Sequence, residues 1–234
     1  MALAAEISSR LASVRRRIEA AAERAHRAPT DVQLIAVSKT FSAEDVRTAA
    51  AAGQRDFGEN RVQEGLEKIQ ALESLGLSWH LIGHLQSNKA RKAAPAFSWI
   101  ESIDSRDLLN RLDAAAAELG VRPRVLVQVD LAAEPTKHGV TETSVRDLVN
   151  AALDARAAVL HGLMIVPPFP SAPDDSRPWF RRLRELRDAL VAEGAPVDRL
   201  KELSMGMSHD FEVAIEEGAT MVRVGTAIFG RRTP

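Results

Sequence analysis

The sequence predicts an α/β fold, a single (β/α)8 TIM barrel with an extra N-terminal helix, on three observations. Short apolar runs alternate with amphipathic helical stretches about eight times along the chain. At 234 residues, the chain has room for one barrel and a sizeable core. No Gly-x-Gly-x-x-Gly follows any of the runs, which counts against a dinucleotide-binding sheet. A doubly wound open sheet stays as the alternative, because periodicity alone does not demonstrate closure.

Residues 1–27 read as an amphipathic helix on the outside of the barrel, because Ile7, Leu11, Val14 and Ile18 recur at helical spacing. Glu6, Glu19 and Glu23 interrupt its arginines, and it lacks the continuous apolar region of a secretory signal. Residues 28–234 then carry the barrel. Strands are expected at 33–38, 55–58, 79–83, 98–103, 124–130, 160–165, 202–205 and 221–225. Helices are expected at 43–52, 61–75, 87–94, 105–119, 143–155, 177–192 and 210–217. The connection 166–178 holds Pro167, Pro168, Pro170, Pro173 and Pro178. It leaves the C-terminal end of a strand, where barrels build their sites, so it is expected as a rim element.

Hydrophobic residues are 45 % and charged residues 27 %, and the net charge is -1. No global field recruits nucleic acid or an anionic membrane. Without cysteine, disulfides, thiolate metal sites and a cysteine nucleophile are excluded. That fits a reducing, cytoplasmic setting. No stretch approaches the ~20 apolar residues that span a bilayer.

Lys39 ends the first apolar run, and alternation puts Ile35, Val37 and Lys39 on one face. A partly desolvated lysine at a barrel mouth is a nucleophilic amine that condenses with an aldehyde. A solvated strand-end lysine is the competing reading. Near the other end, Met221, Arg223 and Gly225 share a face, so Arg223 is expected to be buried and to need a partner. Gly225 and Thr226 offer close backbone approach and a hydroxyl, both useful to phosphate. A salt bridge from Arg223 to a core carboxylate is the equal alternative. The stretch Ser204-Met-Gly-Met-Ser208-His-Asp210 links a strand to a helix, with Ser208 as a candidate N-cap. Asn60 either presents its amide at the rim or caps the following helix. His80 and His84 have the spacing of a helical zinc pair, but they sit in a strand and lack the accompanying glutamate, so no metal is expected.

Five motifs now stand in order: Ala-Val-Ser-Lys39-Thr, Phe-Gly-Glu-Asn60, Trp-His-Leu-Ile-Gly-His-Leu-Gln-Ser-Asn-Lys89, Leu-Ser-Met-Gly-Met-Ser208 and Thr-Met-Val-Arg-Val-Gly-Thr-Ala-Ile-Phe-Gly230. Over residues 32–230 the chain resembles the YggS/PROSC family, the pyridoxal phosphate homeostasis proteins. The resemblance implies a barrel similar to the N-terminal domain of alanine racemase, without that enzyme's second β-domain. It implies pyridoxal 5'-phosphate as a Schiff base on Lys39, with Arg223 facing the pyridine nitrogen. Ser204, Gly225 and Thr226 would hold the phosphate, and Asn60 would lie near the ring. The Gly-Arg-Arg-Thr-Pro end and His138 after Lys137 depart from the family pattern, so contacts from Lys137 or the Arg231–Arg232 tail are left open.

An arginine beside the ring nitrogen disfavours its protonation and weakens the ring as an electron sink. Racemases with such an arginine pair a lysine with a tyrosine, and this chain has no tyrosine. The expected role is therefore homeostatic: a monomer that buffers the cofactor and hands it to apo-enzymes without efficient catalysis. The alternative is a slow racemase-like enzyme with His84 or His209 as second base.

Overall fold

The computed structural model of the chain describes residues 2–132 and 138–230. Helix α1 (Ala2–Arg24) precedes a run of parallel strands and helices: β1 (Gln33–Val37), α2 (Ala43–Ala51), β2 (Asp56–Glu59), α3 (Val62–Ala71), β3 (Ser78–Leu81), α4 (Ala90–Ala93), β4 (Trp99–Ile103) and α5 (Arg106–Leu119). The second half comprises β5 (Arg124–Asp130), β6 (Val140–Thr141), α6 (Val145–Leu153), β7 (Val159–Ile165), α7 (Arg177–Ala192), β8 (Glu202–Ser204), α8 (Phe211–Glu216), β9 (Met221–Val224) and α9 (Thr226–Phe229).

The ring runs β1-β2-β3-β4-β5-β7-β8-β9 and closes on itself, because β1 pairs with β9 and β4 with β5. Both pairings are parallel, which removes the open sheet from consideration. The two-residue β6 hangs on the end of β5 outside the ring. It and α9 are too short to leave a periodicity in the sequence.

Apolar side chains form two layers. The larger lies between strands and helices, and α1 contributes Ile7, Leu11, Val14 and Ile18 to it, all buried. Each such burial stabilises by about 1.5–3 kcal/mol, so the helix is held by its apolar stripe. The smaller layer fills the barrel interior with Ile35, Trp99, Leu126, Met164 and Met221. Strand alternation does the rest. With Ile35 inside, Val37 and Lys39 follow on the same face towards the mouth. With Met221 inside, so do Arg223 and Gly225. A register shift between β5 and β7 skips His161, whose ring packs edge-on against Trp99 at the barrel's far end.

One capping interaction fixes where β7 begins. The Asp113 carboxylate on α5 accepts the backbone N–H groups of Arg156 (3.2 Å), Ala157 (2.7 Å) and Ala158 (2.9 Å). Burial pushes this carboxyl up, but the three amides outweigh it and hold the pKa below the ordinary aspartate value. The folded pKa is thus the lower one, so the stabilisation is present above the unfolded value and fades as pH falls through the folded one. We expect Asp113→Asn to cost about 2 kcal/mol at pH 7 in urea unfolding. That difference should shrink in acid, below roughly pH 4.

Candidate functional site

At the C-terminal mouth of the barrel lies a cavity of about 390 Å³, walled by Lys39, Asn60, Arg223, Gly225 and Thr226. These are five of the six residues expected to hold a cofactor. Val37, Ile82 and Val166 give it apolar sides, and Phe169 and Pro170 of the proline-rich connection stand at its edge. A larger groove of about 630 Å³ runs along α7 on the outside. Its arginines are engaged by Glu142, Asp174, Glu216 and Glu217, and none of the expected residues lines it.

The backbone that presents Lys39 is held from several sides. Thr40 adopts a left-handed conformation with φ 69°, which costs a β-branched residue roughly 1–2 kcal/mol. Its N–H donates to Glu64 Oε1 at 2.5 Å. On the other side of Lys39, the Ser38 carbonyl accepts from Lys68 Nζ at 2.7 Å. That buried ammonium also reaches Glu59 (2.7 Å) and Glu64 (2.8 Å), while Ser38 Oγ donates to Glu59 at 2.6 Å. Burial raises the Glu59 carboxyl above its usual range against the pull of Lys68 and Ser38. The network over-determines a strained turn, and the turn aims Lys39 into the cavity.

Arg223 is buried at the base of the cavity, with 4 % of its surface exposed. Its Nη1 donates to Ser204 Oγ at 2.6 Å and its Nη2 to the Ile165 carbonyl at 2.7 Å. Ser204 Oγ in turn donates to Glu101 Oε2 at 2.6 Å. The other Glu101 oxygen meets His80 Nδ1 at 2.7 Å, and His80 Nε2 lies 3.4 Å from Asp56. Burial opposes charge on His80, but the two carboxylates prevail and raise its pKa. Burial likewise opposes charge on Glu101, and His80, Arg223 and Ser204 hold its carboxyl low. Arg223 itself is pulled down from the ordinary arginine range by burial, with Glu101 and Asp210 countering. Arg223 thus lines a cavity, and a core carboxylate balances it through a serine rather than by a direct salt bridge.

Ser204 is the expected site residue that does not reach the cavity. The register pairs it with Met221, one layer below Arg223. Fully buried, its hydroxyl supports the guanidinium from beneath. Two residues per layer along the chain bring Ser208, not Ser204, level with Gly225. Ser208 Oγ accepts the N–H groups of Gly225 (3.2 Å) and Ala227 (3.3 Å) and lines the cavity. It is not the N-cap of α8; that position belongs to Asp210. The Asp210 carboxylate is occupied by Met207 N–H and Ser176 Oγ, both at 2.7 Å. Asn60 does not cap α3 either, since Arg61 occupies the N-cap position. Its Oδ1 is buried on the cavity wall without a hydrogen-bond partner, an orphaned acceptor that a bound group could satisfy.

Among the imidazoles, His209 lines the cavity and meets Phe169 edge-on at 5.3 Å. His84 does not line it; it turns outward to Asp104 at 3.0 Å. Sequence reasoning missed Lys68 and Glu101 and took Ser208 for a helix cap. Lys68 and Glu101 act through backbone or through other side chains, and only strand register reveals Ser208. Lys137 and the Arg231–Arg232 tail lie outside the described residues.

The family model for the alanine racemase N-terminal domain matches residues 9–233. A pyridoxal phosphate homeostasis protein of Aquifex aeolicus is 44 % identical over 223 residues, covering 95 % of this chain and 97 % of the relative. Its Escherichia coli counterpart is 42 % identical over 234 residues, covering 97 % of each. The structure of PipY from Synechococcus elongatus with pyridoxal phosphate bound superposes with TM-score 0.85 at 44 % identity, covering 96 % of this chain and 100 % of that one. With its closed parallel barrel and near full-length matches above 40 % identity, the chain belongs to the pyridoxal phosphate homeostasis protein family, built on the alanine racemase N-terminal barrel.

Proposed function

We propose that this chain binds pyridoxal 5'-phosphate as a Schiff base on Lys39 and serves as an intracellular buffer and source of it for apo-enzymes. The observation that carries the reading is the convergence of Lys39, Asn60, Arg223, Gly225 and Thr226 on one cavity, with a buried charge held at its base. The cofactor supplies an aldehyde that condenses with an amine and a ring that can accept electron density. Lys39 provides the amine at the mouth. The fixed guanidinium of Arg223 would face the ring nitrogen and disfavour a second positive charge there. Thr226, Gly225 and Ser208 suit the phosphate, because backbone N–H groups already converge on the Ser208 hydroxyl. Asn60 has an acceptor to satisfy. Ser204 acts beneath, as support for Arg223.

The site lacks the apparatus of efficient racemisation. There is no tyrosine to serve as the opposing base, and no cysteine. A slow enzyme is the second reading, favoured by His209 on the cavity wall; His84 faces Asp104 instead. A monomer suffices for every residue named here.

Purified protein with added pyridoxal phosphate should develop the visible absorbance of a Schiff base, and borohydride should fix the label on Lys39. Lys39→Ala should lose both; label scattered over surface lysines would overturn the reading. Exchange of an amino acid's Cα proton in heavy water, reduced by His209→Ala, would favour the slow enzyme over the carrier. Glu101→Gln leaves His80 and Arg223 buried without their shared counter-charge. We expect it to cost about 3–5 kcal/mol of unfolding free energy and to weaken cofactor binding in an absorbance titration, with Lys39 still the labelled residue.

A further inference from the structure

His84, Asp104 and His138 converge on the same rim of the barrel, outside the cofactor cavity, and we propose that they form a binding site for a divalent transition-metal ion of the zinc class. The three side chains come from three separate connections, after β3, after β4 and before β6. One oxygen, Asp104 Oδ2, lies 3.0 Å from His84 Nδ1 and 4.0 Å from His138 Nδ1. The two imidazoles stack with centroids 3.8 Å apart and planes within 10°, and the Nδ1 atom of each faces the same carboxylate oxygen. All three donor atoms lie within 4.8 Å of one another.

Metal–ligand bonds of about 2.0–2.2 Å to nitrogen and carboxylate oxygen place tetrahedral donors roughly 3.4 Å apart. The two Asp104–histidine separations bracket that spacing, and one imidazole must turn out of the stack to bring both ring planes onto a common ion. Two imidazoles and one carboxylate are borderline donors that suit zinc, cobalt or nickel rather than calcium or magnesium. Three protein ligands leave a coordination position for water. His84 and His138 are 36 % and 56 % exposed, which admits an ion from solvent, while Asp104 at 12 % is held within the rim.

The backbone beneath the donors is tied to the barrel by hydrogen bonds and close packing, as a site requires. The His138 carbonyl accepts from Gln128 Nε2 at 2.6 Å, tying it to β5. Gly139, at φ 142°, packs so closely on Val129 and Asp130 that a Cβ there would come within 2.6 Å of the Asp130 nitrogen. On the other side, the Gly83 carbonyl accepts from Ser102 Oγ at 2.7 Å. A Cβ on Gly83 would fall 2.3 Å from the Asn60 carbonyl oxygen. Each histidine thus neighbours a glycine pressed against the barrel. His80, the partner that sequence spacing suggested for His84, points into the barrel to Glu101 and takes no part.

The test is calorimetric titration of Zn²⁺ into tag-free, cofactor-free protein, repeated with His138→Ala and Asp104→Asn, and a visible spectrum with Co²⁺. We expect one equivalent bound by the wild type, affinity at least about tenfold weaker in both variants, and Co²⁺ ligand-field bands that both variants lose. Unchanged metal-free melting temperatures would show that the variants fold. No uptake by the wild type, or uptake that neither substitution alters, would overturn the site. Neither outcome bears on the Lys39 reading, which the borohydride experiment tests separately.

Discussion

A guanidinium inside a closed barrel is the constraint around which this molecule is arranged. Arg223 sits on a strand whose neighbours are apolar on both faces, and an unbalanced charge there would cost several kcal/mol. The barrel answers with a column running down its interior: Arg223, Ser204, Glu101, His80 and Asp56, each within hydrogen-bond reach of the next. Two positive and two negative groups alternate along it, counting His80 as protonated, the state its carboxylate neighbours favour. The signs of the shifts define where the column is sound. Glu101 and Asp56 have depressed pKa values, so their contribution holds above the ordinary carboxylate range and is lost in acid. His80 has a raised one, so its contribution is complete below the ordinary histidine value and is lost as pH climbs through the raised value. Between the ordinary carboxylate and ordinary histidine values, all four charges oppose one another in pairs.

The second device works on backbone rather than charge. Thr40 keeps an unfavourable conformation because Glu64 and Lys68 hold the peptide groups on either side of Lys39. Lys68 is therefore a buried lysine with a positioning role, and Lys39 is the one that faces the cavity. The two networks are separate: Glu59 anchors one from β2, and Glu101 anchors the other from β4. Between them they fix the amine at one side of the cavity and the guanidinium at its base. Only the rim, with Phe169 and His209, rests on side chains at the edge of solvent.

Much of this was legible in the sequence because the barrel is built from period-two strands. Once Ile35 and Met221 are inside, Lys39 and Arg223 must point towards the mouth, and no tertiary information is needed to say so. What alternation cannot supply is the relative height of two strands. Ser204 and Ser208 are equally good inward-facing serines from their own segment. Only the pairing of Ser204 with Met221 shows that one lies beneath Arg223 and the other beside Gly225. The Glu101–His80 pair was hidden for the related reason that it joins two strands, and the Asp104–His138 pair because it joins two connections. Short elements such as β6 and α9 escape because two or four residues carry no period. For the side-chain pairs, the missing quantity is a register between segments rather than a property of one segment.

The same geometry, under the proposed reading, suits holding better than turning over. Under the proposed reading, the charge at the ring nitrogen is permanent, since Arg223 cannot move without exposing Glu101 and His80 to an unbalanced interior. A permanent positive neighbour would keep the nitrogen of a bound ring unprotonated and leave that ring a weak acceptor of electrons. Catalysis through it then depends on a second base placed across the substrate, and the cavity offers one imidazole, His209, at its solvent edge rather than a buried phenol. Holding asks for much less: an amine presented at a fixed place, donors for a phosphate, and a mouth open enough for the cargo to leave. The first of these is what the network around Lys68 supplies, by holding the peptide groups on either side of Lys39.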